Sequence, residues 1–340
     1  MHSNGEADPE PGTSSVSGAR RIVRRAAYIA GVGAVAVAAL GVLVFYVGPE
    51  SNTLIIASSF VPLMLGVGLL GLVALAATRS WRTLAMGVVV LVAGAFTQAP
   101  LFVSNTPDTV AGDAIRVMQA NIRLGEADPD ALVEQVRSHS IDVLTIQELT
   151  DSAVERLGAA GLTELLPYRF VEPKDGGGGT GIYSRFPLSE QESLGHFAMS
   201  NLVATADIGD GRNVTVAAVH PMPPYPSPAW MWASEMGKLN GLLHEQAADG
   251  NPMIVGGDFN STYSHSRFRA ILTDGFTDAA EQTGAGFVMT YPADTWYPAL
   301  IGIDHIVTNR ATVTEFERIE IEGSDHHGLV ATVTPHFNNT

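Results

Sequence analysis

The sequence predicts an α/β domain with two sheets packed face to face, preceded by three membrane-spanning helices. Residues 1–104 contain three long uncharged apolar segments, whereas the rest of the chain alternates buried-strand patterns with amphipathic helix patterns. Strand patterns outnumber helix patterns there, which favours two packed sheets. We therefore expect residues 1–25 to form a disordered cytoplasmic tail, residues 26–104 a transmembrane region and residues 105–340 an extracytoplasmic domain.

The three apolar segments run over residues 26–47, 53–78 and 84–103. Each contains about the 20 apolar residues that a spanning helix needs. The first segment has a second interpretation, a cleaved signal peptide, because arginine pairs precede it. Two further apolar segments follow without a long interruption, which favours a membrane anchor.

The charges that flank these segments predict their orientation. RRIVRR precedes the first segment, GPESN follows it, and RSWR separates the second from the third. Loops rich in arginine stay in the cytoplasm. The N-terminus is therefore expected to be cytoplasmic, and the third span would deliver the following domain to the outside of a multi-pass cell-membrane protein.

Charge and cysteine content limit the chemistry. Residues 1–104 contain six arginines and four acidic residues, whereas residues 105–340 contain 13 basic and 31 acidic residues. A surface this acidic does not attract polyanions unless divalent cations occupy an acidic cleft. The chain has no cysteine, which excludes disulfides, thiolate catalysis and sulfur-ligated zinc.

Strand and helix patterns alternate after a short linker at residues 105–112. DPDALVEQVRSHS (128–140) has acids at its start and apolar residues at helical spacing, and a second helix is expected at about 229–248. Buried or alternating apolar runs predict strands at 114–122, 141–148, 179–185, 202–208, 213–220, 252–258, 301–308, 313–321 and 328–335.

Polar residues suited to phosphate and metal chemistry stand where the predicted strands meet loops. The run PMIV leads into GGDFN, which places Asp258 and Asn260 two residues apart and therefore on one face of an extended strand. Taken alone, each such residue is equally well a helix cap, a turn or a packing residue. Together they predict a site where strand ends gather. The others are Asn121, Glu148, His220, Asp304, Asp325 and His326.

The ordered set ANI, IQE, GIYSRFP, VHPMP, GGDFN, GIDHI and SDHHG, spread over residues 113–335, resembles the endonuclease/exonuclease/phosphatase (DNase-I-like) superfamily. The resemblance implies a four-layer α/β sandwich of two mixed sheets flanked by helices. It also implies hydrolysis of phosphate esters or anhydrides with a divalent metal, Mg²⁺ or alternatively Mn²⁺.

The resemblance implies a metal site at three positions. Glu148 matches the acidic metal ligand, and a hard cation such as Mg²⁺ prefers carboxylate oxygen. Asn121 matches the amide beside the metal, and Asp325 matches the acid near it.

The same resemblance implies five catalytic residues. Asp258 matches the carboxylate that positions or deprotonates the attacking water, and Asn260 the amide that orients the phosphate. His326 matches the imidazole on the phosphoryl oxygens, and Asp304 its acid partner. His220 matches the leaving-group side, where it is a candidate general acid.

Other features have two interpretations. His305 and His327 are expected to be packing or surface residues, and the glycine run at 176–179 a turn rather than a phosphate cradle. The loop at 221–232 contains a tyrosine and two tryptophans, which suit either a membrane interface or an apolar cap on the core.

The substrate follows neither from the fold nor from the chemistry. The architecture resembles the membrane-anchored teicoplanin-resistance proteins of actinobacteria, which implies a lipid-linked substrate such as undecaprenyl pyrophosphate and a lipid bilayer as partner. An extracytoplasmic nuclease, a phospholipase-C- or sphingomyelinase-like enzyme and a non-catalytic binding domain are the alternatives. The nuclease would need a basic stripe for nucleic acid, and the 13 basic residues are scattered.

Overall fold

The computed structural model describes residues 13–48, 51–107 and 112–337. Apolar helices come first in the chain, and a short 3₁₀ helix, Ala99–Phe102, ends this part. The helices are α1 (Thr13–Val47), α2 (Asn52–Ser59), α3 (Val61–Ala77) and α4 (Trp81–Gln98).

Two helical stretches, Gly18–Val47 and Trp81–Phe102, are long and apolar enough to cross a membrane. The second predicted span is broken at Phe60 into α2 and α3, and it adds a third crossing only if this bent pair is counted as one span. Two helices with the length and composition of membrane spans are therefore shown, whereas the count of three and the orientation stay predictions.

Part of the expected N-terminal tail is helical. Helix α1 begins at Thr13, so residues 13–25 continue the first apolar helix, and residues 1–12 lie outside the described part of the chain. The physical reason is that residues 13–25 contain no proline, so that the helix can extend from the apolar stretch through the arginines.

The chain divides into two compact units, and none of the three boundaries between them is at residue 104. One unit comprises the described parts of Met1–Leu43 and Val61–Phe96; the other comprises Val44–Phe60 and Thr97–Thr340. In the first unit, α1 and α3 approach closely at Gly31 and Gly71, where a Cβ on either residue would meet the neighbouring helix.

The second unit contains two six-stranded mixed sheets. The first has the strand order β11–β12–β1–β2–β4–β3 and the second β5–β6–β7–β8–β10–β9. The strands are β1 (Ile115–Asn121), β2 (Val143–Gln147), β3 (Tyr168–Glu172), β4 (Thr180–Ser184), β5 (Leu188–Ser193), β6 (Leu202–Asp207), β7 (Asn213–Val219), β8 (Met253–Asp258), β9 (Phe276–Asp278), β10 (Asp304–Asn309), β11 (Ala311–Ile319) and β12 (Gly328–Pro335).

Helices cover the outer faces of both sheets, which confirms the predicted α/β sandwich. They are α5 (Pro129–Ser138), α6 (Asp151–Ala159), α7 (Leu162–Leu165), α8 (Ala229–Ala247) and α9 (Ser266–Ile271). A further helix, α10 (Ala279–Thr283), contacts strands of both sheets, and its Ala279 belongs to the cluster between them. The central strands β2 and β8 are buried along their whole length, as expected for strands covered on both faces.

Three apolar clusters hold these layers together. One lies between the sheets and includes Val117, Val143 and Val216. Another joins the first sheet to α5 and α6, and the third joins the second sheet to α8 and α9. Side chains of central strands therefore contribute to the core on both faces of each sheet, and polar residues concentrate where strands end.

Segment Val44–Phe60, which connects the first two apolar helices, is part of the sandwich core. Ile55 is 1% exposed and belongs to the cluster beneath α8 and α9. The backbone carbonyl of Ile55 lies 3.0 Å from His265 Nε2. Because the backbone N–H of Thr262 donates to His265 Nδ1, His265 is neutral with its proton on Nε2, from which it donates to Ile55.

We predict that this neutral histidine makes the fold sensitive to acid. Burial lowers the pKa of His265 to about 4, below the value of about 6.5 for an unfolded chain. Its contribution to the free energy of unfolding is therefore complete above pH ~6.5 and is lost as the pH falls toward 4. Thermal unfolding between pH 7 and 5 should show a smaller decrease in stability for His265→Gln than for wild type. Equal pH slopes would contradict the assignment.

The glycine run at 176–179 is a tightly packed turn. A Cβ at Gly179 would overlap the carbonyl oxygen of Leu149 and the backbone nitrogen of Lys174, whereas a Cβ at Gly178 would make ordinary contacts. The carbonyls of Gly178 and Gly179 accept hydrogen bonds from the backbone of Ser200 and Leu149. Close backbone packing thus explains the glycine at 179.

We expect Gly179→Ala to destabilise the protein by about 1–3 kcal/mol through overpacking against rigid backbone. Gly178→Ala is the matched control and should change stability by less than about 1 kcal/mol. Thermal unfolding in detergent measures both. Equal losses of stability in the two variants would contradict the close backbone packing at Gly179.

Candidate functional site

Six strands bring the candidate residues to one end of the sandwich. The parallel strands β1 and β2 end at Asn121 and just before Glu148, and the parallel strands β7 and β8 end just before His220 and at Asp258. Strand β10 starts at this end, where Asp304 pairs with Asp258, and β12 starts after Asp325 and His326. All eight predicted residues therefore lie at the same end of the sheets.

Asn121 connects the two sheets at this end. Its Nδ2 donates to Glu148 Oε1 and to Asp258 Oδ2, both at 3.1 Å. The other oxygen of Glu148 accepts from the backbone N–H of Leu124 at 2.7 Å. Asn121 is fully buried, and its amide holds a carboxylate from each sheet in a fixed position.

Glu148 and Asn260 have left-handed backbone conformations, with φ of +60° and +48°. Such values are uncommon for residues other than glycine and cluster at functional sites. The turn at Asn260 is stabilised by its backbone N–H, which donates to Asp258 Oδ1, and by its side chain, which donates to the carbonyl of Pro221. Both residues are thus presented by the strained turns that follow strands.

His326 and Asp304 form a buried pair. His326 Nδ1 lies 2.8 Å from Asp304 Oδ2, and Asp304 Oδ1 accepts from Gln119 Nε2. Burial alone would lower the pKa of His326, but the charges of Asp304 and Asp258 outweigh it and raise the pKa to about 10. The ring is therefore an imidazolium at neutral pH, and its Nε2 is directed toward Asp258 at 3.8 Å.

The pKa values of Asp258 and His220 shift in opposite directions. Burial, reinforced by the charge of Asp304, raises the pKa of Asp258 above its usual range. Burial and the neighbouring His326 lower the pKa of His220 to about 4. His220 Nε2 lies 3.6 Å from Asp258 Oδ2, which is longer than a hydrogen bond. The site therefore holds a neutral and a protonated imidazole beside one carboxylate.

Two places in the site suit a metal ion. Ligand atoms of Asp258, Asp304 and His326 lie within 4.8 Å of one another, so this triad is a potential metal site by spacing. An imidazolium has no free lone pair, however, and Asp304 is already bonded to His326 and Gln119. The carboxylate of Glu148 is half-buried and faces the open cleft with Asp325, a donor set that suits a hard cation.

The residues border a cleft of about 460 Å³ whose lining has a polar part and an apolar part. Glu148, Asp258 and Asp325 contribute carboxylates, and lysine and arginine are absent from its lining in the described part of the chain. An acidic cleft without basic side chains can bind a phosphate when a cation offsets its charge. The apolar part is formed by Ile56, Phe60, Met199, Pro223, Pro224, Tyr225, Ile301 and Ile303.

Several supporting residues were missed by the sequence analysis. Gln119 bonds to both Asp304 and Gln147, and Ser324 Oγ bonds to the backbones of Asn121 and His326. Gln119 precedes Asn121 by two residues on one strand, so the i, i+2 rule could have found it. Asn201, whose side chain accepts from the backbone of His220, had no sequence signal.

Residues outside the polar cluster behave as packing groups. His305 is buried between Asp278 and the carbonyl of Ser261, as expected for a packing residue. Trp232 lies in helix α8, where it is buried and donates to Ser261 Oγ, so this tryptophan caps the core. The neighbouring Trp230 is exposed.

Solved structures share this fold. A humanized TDP2 from D. rerio matches with a TM-score of 0.54 and 19% identity, over 65% of this chain and 99% of that chain. D. rerio TDP2 in complex with a single-strand DNA product matches with a TM-score of 0.52 and 18% identity, over 65% and 99%. An endonuclease/exonuclease/phosphatase family protein from Bacteroides thetaiotaomicron matches with a TM-score of 0.50 and 16% identity, over 67% and 100%. These identities establish a common fold.

The family comparison covers the whole candidate site. No curated protein sequence matches the chain. The model of the Endonuclease/Exonuclease/phosphatase family, whose members are phosphoester hydrolases, matches residues 118–326. This range is more than half of the chain and includes all eight candidate residues. The chain therefore belongs to the Endonuclease/Exonuclease/phosphatase family.

Proposed function

We propose that this protein is a divalent-metal-dependent hydrolase of a lipid-linked phosphate or pyrophosphate, such as undecaprenyl pyrophosphate, outside the cytoplasmic membrane. One observation carries the proposal. The cleft that contains Glu148, Asp258 and His326 has a partly apolar lining, and part of that lining comes from helix α2 and Phe60, which lie between α1 and α3 in the chain. A substrate with a phosphate head and a hydrocarbon body matches both parts of this lining.

The residues of the chain would divide the reaction as follows. Asp258 accepts the proton of the attacking water, and Asn260 orients the phosphate beside it. The His326 imidazolium donates from Nε2 to a phosphoryl oxygen, and Asp304 keeps it charged and oriented. His220, whose Nε2 lies 3.6 Å from Asp258 Oδ2, would lie beside the leaving oxygen.

Glu148, with Asn121 and Asp325, would hold Mg²⁺ or Mn²⁺. Such an ion supplies positive charge that offsets the phosphate and the developing charge of the leaving group. Asn121 keeps Glu148 and Asp258 at a fixed separation through two hydrogen bonds. The acidic lining of the cleft, without lysine or arginine among its described residues, supports this need for a cation.

The cleft lining favours a lipid over a nucleic acid. A nucleic-acid site requires basic side chains along the path of the backbone. The residues around this polar centre are proline, isoleucine, methionine, phenylalanine and tyrosine instead. A nuclease activity remains the second candidate because a structural neighbour is described with a single-strand DNA product.

We predict that Asp258→Asn lowers phosphate release from undecaprenyl pyrophosphate by at least about 100-fold, since it removes the group that accepts the proton. Asp210→Asn, at a side chain that is 92% exposed, is the matched control and should retain wild-type activity. Inorganic phosphate is followed with the full chain in detergent. Wild-type rates in Asp258→Asn would refute the site. No release by wild type, with nicking of supercoiled DNA, would favour the nuclease.

Removal of divalent metal should stop the reaction. We expect EDTA to abolish phosphate release and Mg²⁺ or Mn²⁺ to restore it, because the acidic cleft otherwise repels the substrate. Unfolding temperatures measured before and after chelation control for loss of the fold. Full activity in the chelated, folded protein would contradict the proposed metal role.

A further inference from the structure

Segment Val44–Phe60 contributes directly to the cleft. Ile56, Ser59 and Phe60 line it together with His220, Asp258 and His326. Of these three residues, Ile56 exposes 37% of its surface, a large fraction for an isoleucine in a helix whose neighbour Ile55 is buried in the core. A short helix between two long apolar helices thus forms one wall of the candidate active site.

Specific contacts hold this segment at its start and at the first residue of α2. The side chain of Asn52 donates to the carbonyls of Pro224 and Ser227 at 3.1 and 3.0 Å, and it accepts from the backbone N–H of Ala229 at 3.2 Å. At the start of the segment, the guanidinium of Arg269 lies 3.5 Å from the ring centre of Phe45 and donates to its carbonyl.

The anchored wall contacts the loop that follows His220. Asn52 bonds to the backbone of this loop, whose residues Pro223, Pro224 and Tyr225 line the same cleft as Ile56 and Phe60. The two walls offer aliphatic and aromatic surface with few hydrogen-bonding groups. Apolar surface that remains open next to a polar reaction centre is suited to bind the apolar part of a ligand.

We propose that the Val44–Phe60 wall and the proline-rich loop bind the hydrocarbon chain of a phosphorylated lipid, with Ile56 and Phe60 in contact with the chain segment nearest the phosphate. This inference rests on the proposed hydrolysis of a lipid-linked phosphate and assigns its chain-binding surface. Asn52 is a positioning residue, because it fixes the wall to the loop without lining the cleft.

The connectivity of the chain identifies the ligand as a membrane lipid. The wall begins within the helical stretch Gly18–Val47, which is apolar enough to span a membrane, and it is followed directly by the apolar helix α3. A soluble nucleotide would need polar partners that this wall lacks.

The test measures binding rather than turnover. The probes are isoprenoid methylenebisphosphonates, which cannot be hydrolysed at the bridging position, with either a single isoprene unit or several units. The full chain in detergent is titrated with Mg²⁺ present. We expect the Ile56→Ser/Phe60→Ser variant to bind the long-chain probe about tenfold more weakly, with unchanged affinity for the short probe.

Two further variants make the result specific. Val103→Ser removes an exposed apolar side chain outside the cleft and should bind both probes as wild type does. Asn52→Ala leaves the cleft lining intact but releases its anchor, and it should weaken binding of the long-chain probe only. Retained binding of the short probe shows that each variant is folded.

The outcomes separate this inference from the proposed function. Unchanged long-chain affinity in the double variant, equal loss for both probes, or no binding of either probe by wild type would overturn the chain-binding wall. Chain-length-dependent binding by a protein that hydrolyses no phosphate ester would keep the wall and refute the hydrolase. Hydrolysis of phosphate esters without any effect of chain length on binding would refute the wall and keep the hydrolase.

Discussion

The buried contact between His326 and Asp304 fixes the electrostatics of the whole site. A carboxylate in the core is costly unless it is paired, and Asp304 is paired with His326 and Gln119. The charges of Asp304 and Asp258 raise the pKa of His326 and keep it protonated at neutral pH next to the buried Asp258. Without this cation, several carboxylates at the same strand ends would repel both one another and any phosphate.

The architecture explains why this pair can be held so firmly. Asp304 lies in the second sheet, whereas His326 precedes a strand of the first sheet and Gln119 lies within that sheet. The contact therefore joins the two sheets at the end where their strands terminate, as the amide of Asn121 does between Glu148 and Asp258. The apolar core between the sheets sets the distance between them. At this distance, polar side chains from the two sheets contact each other where the strands terminate.

Much of this arrangement could be predicted from the sequence because it depends on local periodicity. Buried strands such as β2 and β8 have continuous apolar patterns, and their last residues mark the site. Resemblance to a family then identified which of these polar residues belong together. The support at Ser324 and the bonding partners of Gln119 could not be identified, because hydrogen bonds between distant strands leave no periodic signal.

The role of residues 44–60 could not be predicted for a different reason. Their composition is that of a loop and the start of an apolar helix, and burial of Ile55 in a core more than a hundred residues away in sequence is a tertiary property. The bond between His265 and Ile55 likewise joins residues that no local pattern relates. The predicted division at residue 104 therefore differs from the compact units of the fold.

The position of the cation tests the account most directly, since the charge of His326 decides which of the two potential metal sites is used. Crystals of the full chain grown with Mn²⁺ would locate the ion by its anomalous scattering. We expect a peak within ligand distance of a carboxylate oxygen of Glu148, which for Mg²⁺ is about 2.0–2.1 Å. A peak coordinated by His326 and Asp304 would contradict the imidazolium and the division of roles built on it.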